Sequence, residues 1–337
     1  MSSLRYSRQI KLLGEVNQQK LTEVSVLVIG AGGIGSPCLL YLVAAGIGKV
    51  GIIDHDVVTL SNLHRQVLYT EHDVGNSKSS VAFTKLSSLN SNVNLSEHNT
   101  KLSIENATNI ISNYDLIIDG SDNFKTRYLV NDICCQLNKP FINSSIFQNG
   151  IQTILFDIKH GCYRCVFPEP PPPFLMNDCS EAGVLGPTTG IAGSITAALA
   201  IKYLINQDVK DLNKILTFNS ESFQTKAFVF SQNKHCSACH YKRLSWPTIN
   251  FNLQLQRTNL ADYLIIDTRE NDEDRKIKLS NRDLHIPFGQ LLRFPNHIPH
   301  EKLLIYCKSG LRSDYAANFL RKNGFSAFSL ENGIQNL

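Results

Sequence analysis

The feature that most constrains this chain is a glycine run, Gly30-Ala31-Gly32-Gly33-Ile34-Gly35, set between the apolar run Ser25–Ile29 and a helical stretch reaching about Ala45. A strand that turns this sharply into a helix leaves backbone amides bare and aims the positive end of the helix at the turn, which suits a phosphate. Asp54 closes the next strand, Val50–Asp54, 19 residues after Gly35, where a carboxylate accepts ribose hydroxyls. Further β-branched runs at Leu116–Asp119 and Pro140–Asn143 alternate with helical stretches, the pattern of a parallel α/β sheet. Gln152–Asp157 and Ile215–Phe218 open a later, antiparallel part.

A lone turn of this kind most often serves NAD or FAD, so a dehydrogenase is the first competing reading. Residues downstream favour a nucleoside triphosphate. Ser61-Asn62-Leu63-His64-Arg65-Gln66 brings a carboxamide and a guanidinium close after the ribose acid, and Lys78 follows. A nucleophile reaching phosphorus must pass a screen of negative oxygens, and converging cations relieve that repulsion. Asp122-Asn123, just past Asp119, adds a carboxylate able to hold Mg²⁺ with phosphate and water ligands. The net charge of +4, from 33 Lys and Arg against 29 Asp and Glu, is too small to suggest nucleic-acid binding. No export signal opens the chain. The longest uncharged run, Ala182–Ile201, carries so many Gly, Pro and Thr residues that a buried glycine-rich turn into a helix is expected there, not a membrane span. These features set the expectation of a soluble, cytoplasmic protein.

Nine cysteines in such a chain argue for metal or thiol chemistry over disulfides. Cys162-x-x-Cys165 and Cys236-x-x-Cys239 can supply four thiolates in the closed tetrahedral set of a structural Zn²⁺, with independent redox pairs as the alternative. Seventy residues lie between the pairs, so spacing alone leaves their pairing open. Cys38, Cys134 and Cys135 fall in helical patterns and read as core. Cys179, beyond the proline stretch Pro168–Pro173, is a loop thiol placed to meet an activated acyl group. Cys307 ends the apolar strand Leu303–Tyr306 and opens Cys307-Lys308-Ser309-Gly310-Leu311-Arg312-Ser313 before a helix starting near Ser313. Loop amides, the helix N-terminus, Lys308 and Arg312 all favour a thiolate or persulfide there. A Cys-dependent phosphatase loop looks similar but has five residues between Cys and Arg, where this chain has four.

Arg5-Tyr6-Ser7-Arg8-Gln9, Gly30–Gly35, Ser61–Gln66, Asp122-Asn123, Cys162–Cys165 and Cys179-Ser180-Glu181-Ala182-Gly183-Val184 occur in that order. With them the first 240 residues resemble the MoeB/ThiF family, relatives of the ubiquitin-activating enzymes. The resemblance implies a Rossmann-like ATP-binding domain with a mostly parallel sheet over residues 1–244. It also implies ATP and Mg²⁺ as cofactors and adenylation of the C-terminal glycine of a ubiquitin-like sulfur carrier ending in Gly-Gly. Carried over, Gly30, Gly32, Gly33 and Gly35 form the phosphate turn and Asp54 takes the ribose. Asn62, Arg65 and Lys78 clamp the triphosphate within the binding stretch Ser61, Leu63, His64 and Gln66. Asp122 becomes the Mg²⁺-linked catalytic acid beside Asn123, and Arg8 reaches the site of a neighbouring subunit, which implies a homodimer. The family also favours one zinc on Cys162, Cys165, Cys236 and Cys239 and a covalent role for Cys179.

Residues 245–337 restart the α/β alternation, with strands Leu264–Asp267, Leu303–Cys307 and Ser326–Leu330 and helix Ser313–Asn323. The short Cys307 loop, Thr268-Arg269-Glu270, His285-Ile286-Pro287 and Asn332-Gly333-Ile334 resemble a small rhodanese domain. It lacks the usual Gly before His285 and ends soon after Gly333. The fusion implies that Cys307, loaded by a donor such as a cysteine desulfurase, passes persulfide sulfur to the adenylated carrier to give a thiocarboxylate. The competing readings are an NAD(P)-dependent oxidoreductase and a non-catalytic scaffold that only docks the carrier. The resemblance leaves open molybdopterin, thiamine, tRNA thiolation or cysteine synthesis as the pathway, with a lean to the MoeB-like branch.

Overall fold

The computed structural model describes residues 2–170, 183–206, 212–242, 263–276, 282–299, 302–330 and 333–336. They fall into two compact units, one up to Lys242 and one from Tyr263. The boundary expected at 244/245 lies outside the described residues, as do Cys179, Pro171–Pro173, Trp246 and Asn332.

The first unit is built on one sheet. Its strands are β1 (Ser25–Ile29), β2 (Lys49–Ile53), β3 (Asn94–His98), β4 (Leu116–Asp119), β5 (Phe141–Phe147), β6 (Gly150–Phe156), β7 (Lys214–Asn219) and β8 (Thr225–Val229). They lie in the order β3-β2-β1-β4-β5-β6-β7-β8, parallel through β5 and antiparallel from there on. β1, β2 and β4 are buried almost throughout, which is why they read as unbroken apolar runs. Two strands were not apparent in the sequence. β3 (NLSEH) is a half-exposed edge strand and β8 (TKAFV) is exposed along its whole length, so neither has an apolar face to betray it. β2 ends one residue earlier than expected, leaving Asp54 just beyond it, and β5 runs on to Phe147.

Ala182–Ile201 is corrected in one respect. Gly183 does lie in the segment leading into the helix, with φ +66°, but Gly186, Gly190 and Gly193 are helical, within Gly186–Asn206, and most of that helix's apolar stretch is buried. It packs against the helix Gly35–Ala45 at close range. A Cβ on Gly193 would lie 2.4 Å from the Ile34 carbonyl oxygen and 2.5 Å from Pro37 Cγ, and one on Gly35 would meet the Gly30 carbonyl at 1.8 Å. These glycines are therefore packing residues, and they fix the glycine turn from both sides.

The second unit is a four-stranded parallel sheet of β9 (Leu264–Asp267), β10 (Leu284–His285), β11 (Lys302–Tyr306) and β12 (Ser326–Ser329), in the order β10-β9-β11-β12. Ile266, Phe288, Leu303, Ile305, Ala316 and Leu320 form its core. The helix after Cys307 spans Leu311–Lys322 and starts two residues earlier than expected.

Gly193→Ala should lower the melting temperature of the purified protein, at a cost of about 1–3 kcal/mol for overpacking. Gly190→Ala, with nothing within 4 Å of its added Cβ, should leave it unchanged or raise it. Equal effects of the two in thermal unfolding would contradict the close helix crossing.

Candidate active site

A cavity of about 720 Å³ opens across the C-terminal ends of β2, β1, β4 and β5, where an open α/β sheet binds its ligand. It is lined by Gly30, Gly32, Gly33, Asp54, Ser61, Asn62, His64, Arg65, Gln66, Lys78, Asp122 and Asn123, so residues spread over nearly a hundred positions converge as expected. Two expected contacts are corrected. Gly35 is turned inward against the Gly30 carbonyl, and Leu63 packs against the hydrophobic core. Neither lines the cavity.

The turn itself needs Gly30, whose φ is +87°. Asp54 is buried at its side. Its two carboxylate oxygens accept the Ala31 amide at 2.8 Å and the Asp56 amide at 2.9 Å, which ties the end of β2 to the glycine turn. Lys78 is 5% exposed, and its ammonium lies 2.9 Å from Asp56 Oδ2. The Lys78 amide also donates to the Asp56 carbonyl at 2.9 Å, so backbone and side chain hold the ammonium together. Burial raises the Asp56 pKa, but the hydrogen bond and charge of Lys78 outweigh it and leave Asp56 below the ordinary carboxylate range.

Arg65 Nη1 donates to the Ser61 carbonyl at 3.2 Å and lies 2.9 Å from His64 Nε2. The His64–Arg65 backbone is buttressed by the long helix. Thr189 Oγ1 donates to the Arg65 carbonyl at 3.2 Å, and a Cβ on Gly186 would meet the His64 carbonyl at 2.2 Å. Asn62 accepts from Gln66 Nε2 at 2.7 Å, while buried Gln66 Oε1 has no protein partner. Asp122 is exposed at the rim. Asn123 caps the helix Phe124–Leu137 by accepting the Thr126 amide at 2.9 Å, so its oxygen has a structural task as well as a place in the lining. Asp56, Arg127, Lys101 and the Ser145–Gln148 end of β5 also line the cavity and were not picked out in the sequence. Arg8 is exposed on the N-terminal helix Ser7–Leu13 and does not line its own chain's cavity.

Away from this cavity, Cys162, Cys165, Cys236 and Cys239 bring their sulfurs within 4.8 Å of one another. Cys162–Cys165 is 3.8 Å, and Cys162–Cys236 and Cys165–Cys239 are each 3.5 Å. Tetrahedral zinc with bonds of ~2.3 Å sets sulfurs about 3.8 Å apart, so the donor set fits that ion and leaves no open ligand position. The hydrogen bond with Cys162 lowers the Cys165 pKa from its ordinary value. Cys38, Cys134 and Cys135 are fully buried, as core residues should be.

In the second unit Cys307 is fully buried behind its loop. The Gly310 amide donates to its sulfur at 3.1 Å, and Ser313 Oγ lies 3.6 Å from it. The carboxyl-terminal turn closes beneath: the Ile334 amide donates to the Cys307 carbonyl at 2.9 Å, and a Cβ on Gly333 would clash with that carbonyl at 2.1 Å. Arg312, expected to add free positive charge, instead forms a two-pronged ion pair with Glu273 at 2.6 and 2.7 Å. Lys308 is exposed. The loop amide is therefore the closest polarising group on the sulfur among the described residues.

The ThiF family profile matches residues 6–239. The chain belongs to the ThiF family. Over 70% of its length it is 43% identical to the sulfur carrier protein adenylyltransferase of Thermus thermophilus, covering 90% of that protein. Over 95% of its length it is 36% identical to the adenylyltransferase and sulfurtransferase MOCS3 of Danio rerio, covering 80% of it. The match to the Culex quinquefasciatus protein of the same name, 44% identical, spans 55% of that relative. E. coli MccB solved with ATP superposes with a TM-score of 0.63 at 27% identity, over 70% of this chain and 74% of that one. This ThiF-family chain is accordingly an adenylyltransferase with an associated sulfurtransferase part, and the oxidoreductase reading is not favoured.

The purified ThiF-family protein should carry one zinc per chain by elemental analysis. Cys236→Ser should lose it and lower the melting temperature, because the ion contributes directly to folding stability. A metal-free protein of unchanged stability would contradict the four-sulfur site.

Proposed function

We propose that the protein adenylates the C-terminal glycine of a ubiquitin-like sulfur carrier ending in Gly-Gly and then delivers sulfur from a Cys307 persulfide to give a thiocarboxylate. The observation that carries the first half is the cavity itself. It gathers a glycine turn at a helix N-terminus, the buried carboxylate Asp54, the cations Arg65 and Lys78, and the rim carboxylate Asp122. The Gly32 and Gly33 amides lie against the phosphates while Asn62, Arg65 and Lys78 spread their charge. A carrier carboxylate oxygen attacks the α-phosphorus, the bond to the bridging oxygen of pyrophosphate breaks, and pyrophosphate leaves with its electron pair. Exposed Asp122, with no cation bonded to it among the described residues, fits a role as ligand for Mg²⁺, which supplies charge neutralisation when bound.

Sulfur transfer follows from the second unit. The terminal sulfur of the Cys307 persulfide attacks the acyl carbon and AMP departs, leaving an acyl disulfide on Cys307. A second thiol, proposed as Cys179, attacks the Cys307 sulfur, so that a protein disulfide forms and the thiocarboxylate is released. The buried Cys307 loop, with its amide on the sulfur, suits a sulfur anion shielded from water. A cysteine desulfurase is the proposed persulfide source, and a reducing compartment such as the cytoplasm keeps the thiols free. A homodimer, in which Arg8 serves the neighbouring site, completes the reading. Light scattering should return twice the chain mass, and a single-chain mass would remove it.

With a panel of Gly-Gly-terminated ubiquitin-fold carriers, one should support ATP–pyrophosphate exchange and gain sulfur for oxygen by mass. Asp122→Ala should lower the exchange rate by two orders of magnitude or more. Cys307→Ala should exchange normally and form no thiocarboxylate when persulfide is the sole sulfur source. Thiocarboxylate from Cys307→Ala under that restriction would overturn its assignment.

A further inference from the structure

Arg127 is a buried cation on the wall of the nucleotide cavity that the reaction as described leaves without a task. It lies in the helix Phe124–Leu137, five residues past Asp122, and is 8% exposed. Nη2 donates to the Ser121 carbonyl at 3.2 Å, the guanidinium sits 4.9 Å from the Phe124 ring centroid, and the Tyr163 hydroxyl lies beside it. Its Nε has no hydrogen-bond partner although it is buried. No carboxylate pairs with it among the described residues. The nearby Asp119 instead accepts the Ser121 amide and Asn143 Nδ2, each at 3.0 Å. Asp119 feels the charge of Arg127 but makes no close ion pair with it, so a buried guanidinium with a free N–H is only partly compensated, and a bound anion offsets the remaining cost.

The sheet order says which anion. On the adenylation reading the ribose lies by Asp54, at the end of β2, and the phosphates by the glycine turn after β1, both of which line the cavity. Lys78 and Lys101 lie on that side, and Lys78 is already paired with Asp56. Arg127 lies on the other side, following β4 and near the Ser145–Gln148 end of β5. In-line attack on the α-phosphorus requires the nucleophile to arrive from the side away from the departing phosphates. On that side Arg127 lines the cavity.

We propose that Arg127 binds the terminal carboxylate of the acyl substrate and holds it against the α-phosphorus. This rests on the adenylation reading and assigns the acyl half of that site. The guanidinium suits the task because it can offer a carboxylate its N–H edge, and no proton needs to move.

The test uses the carrier that supports exchange, with its free C-terminal carboxylate and as its C-terminal amide, binding to full-length protein in the presence of a non-hydrolysable ATP analogue. Wild type should prefer the carboxylate form by about tenfold or more. Arg127→Gln should bind the ATP analogue within about twofold of wild type yet no longer distinguish carboxylate from amide. Arg127→Lys, which keeps the charge and guards against a fold defect in the first variant, should retain part of the preference. Undiminished preference in Arg127→Gln overturns the proposal. So does a parallel loss of nucleotide affinity in both variants, which would place Arg127 on the phosphates or in the frame. If no carrier exchanges with wild type, the adenylation reading falls first and this assignment with it.

Discussion

The site depends on how closely the backbone can be packed around one turn. Gly35 lets the helix start directly over the Gly30 carbonyl, and Gly193 lets a second helix lie against that start. Neither contact is chemically active. Together they hold a row of amides at the ends of parallel strands, on the wall of the cavity. Asp54 is fastened to it through the Ala31 amide, and Arg65 is fastened to the long helix through Thr189. Binding of a polyanion then costs little reorganisation, because the positive potential is built into the frame.

A second principle is charge compensation by pairs. Lys78 is kept buried and oriented by Asp56, and Arg312 is held by Glu273. Arg164 is clamped by Asp132, at 2.7 and 2.9 Å, within the wall that carries the four-cysteine cluster. Arg127 differs from these, since it feels the Asp119 charge but makes no close ion pair among the described residues. In the second unit the pairing leaves the sulfur of Cys307 facing a backbone amide and a hydroxyl, an environment set by loop shape more than by side-chain charge.

Much of this was legible in the sequence wherever residue identity alone carried the chemistry. The glycine turn, Asp54 and the Asn62–Arg65 stretch line one cavity, and the two CxxC pairs come together, a pairing that spacing left open and the family resemblance favours. β3 and β8 were not legible, because edge strands need no apolar alternation. Gly193 and Gly186 were read as turn residues because a glycine in a tight helix crossing looks the same as one in a loop. Arg127 and Asp56 were passed over for a related reason: a single charged residue reveals its importance only when burial and the lack or presence of a partner are known. Arg312 shows the converse, since Glu273, 39 positions away, cancels a charge that looked free.

The central claim is that the glycine-lined cavity accepts a triphosphate. Titration calorimetry with ATP and magnesium, set beside NADH under the same conditions, tests it most directly. ATP should bind with one site per chain while NADH gives no saturable heat. Saturable binding of NADH with none of ATP would contradict the claim.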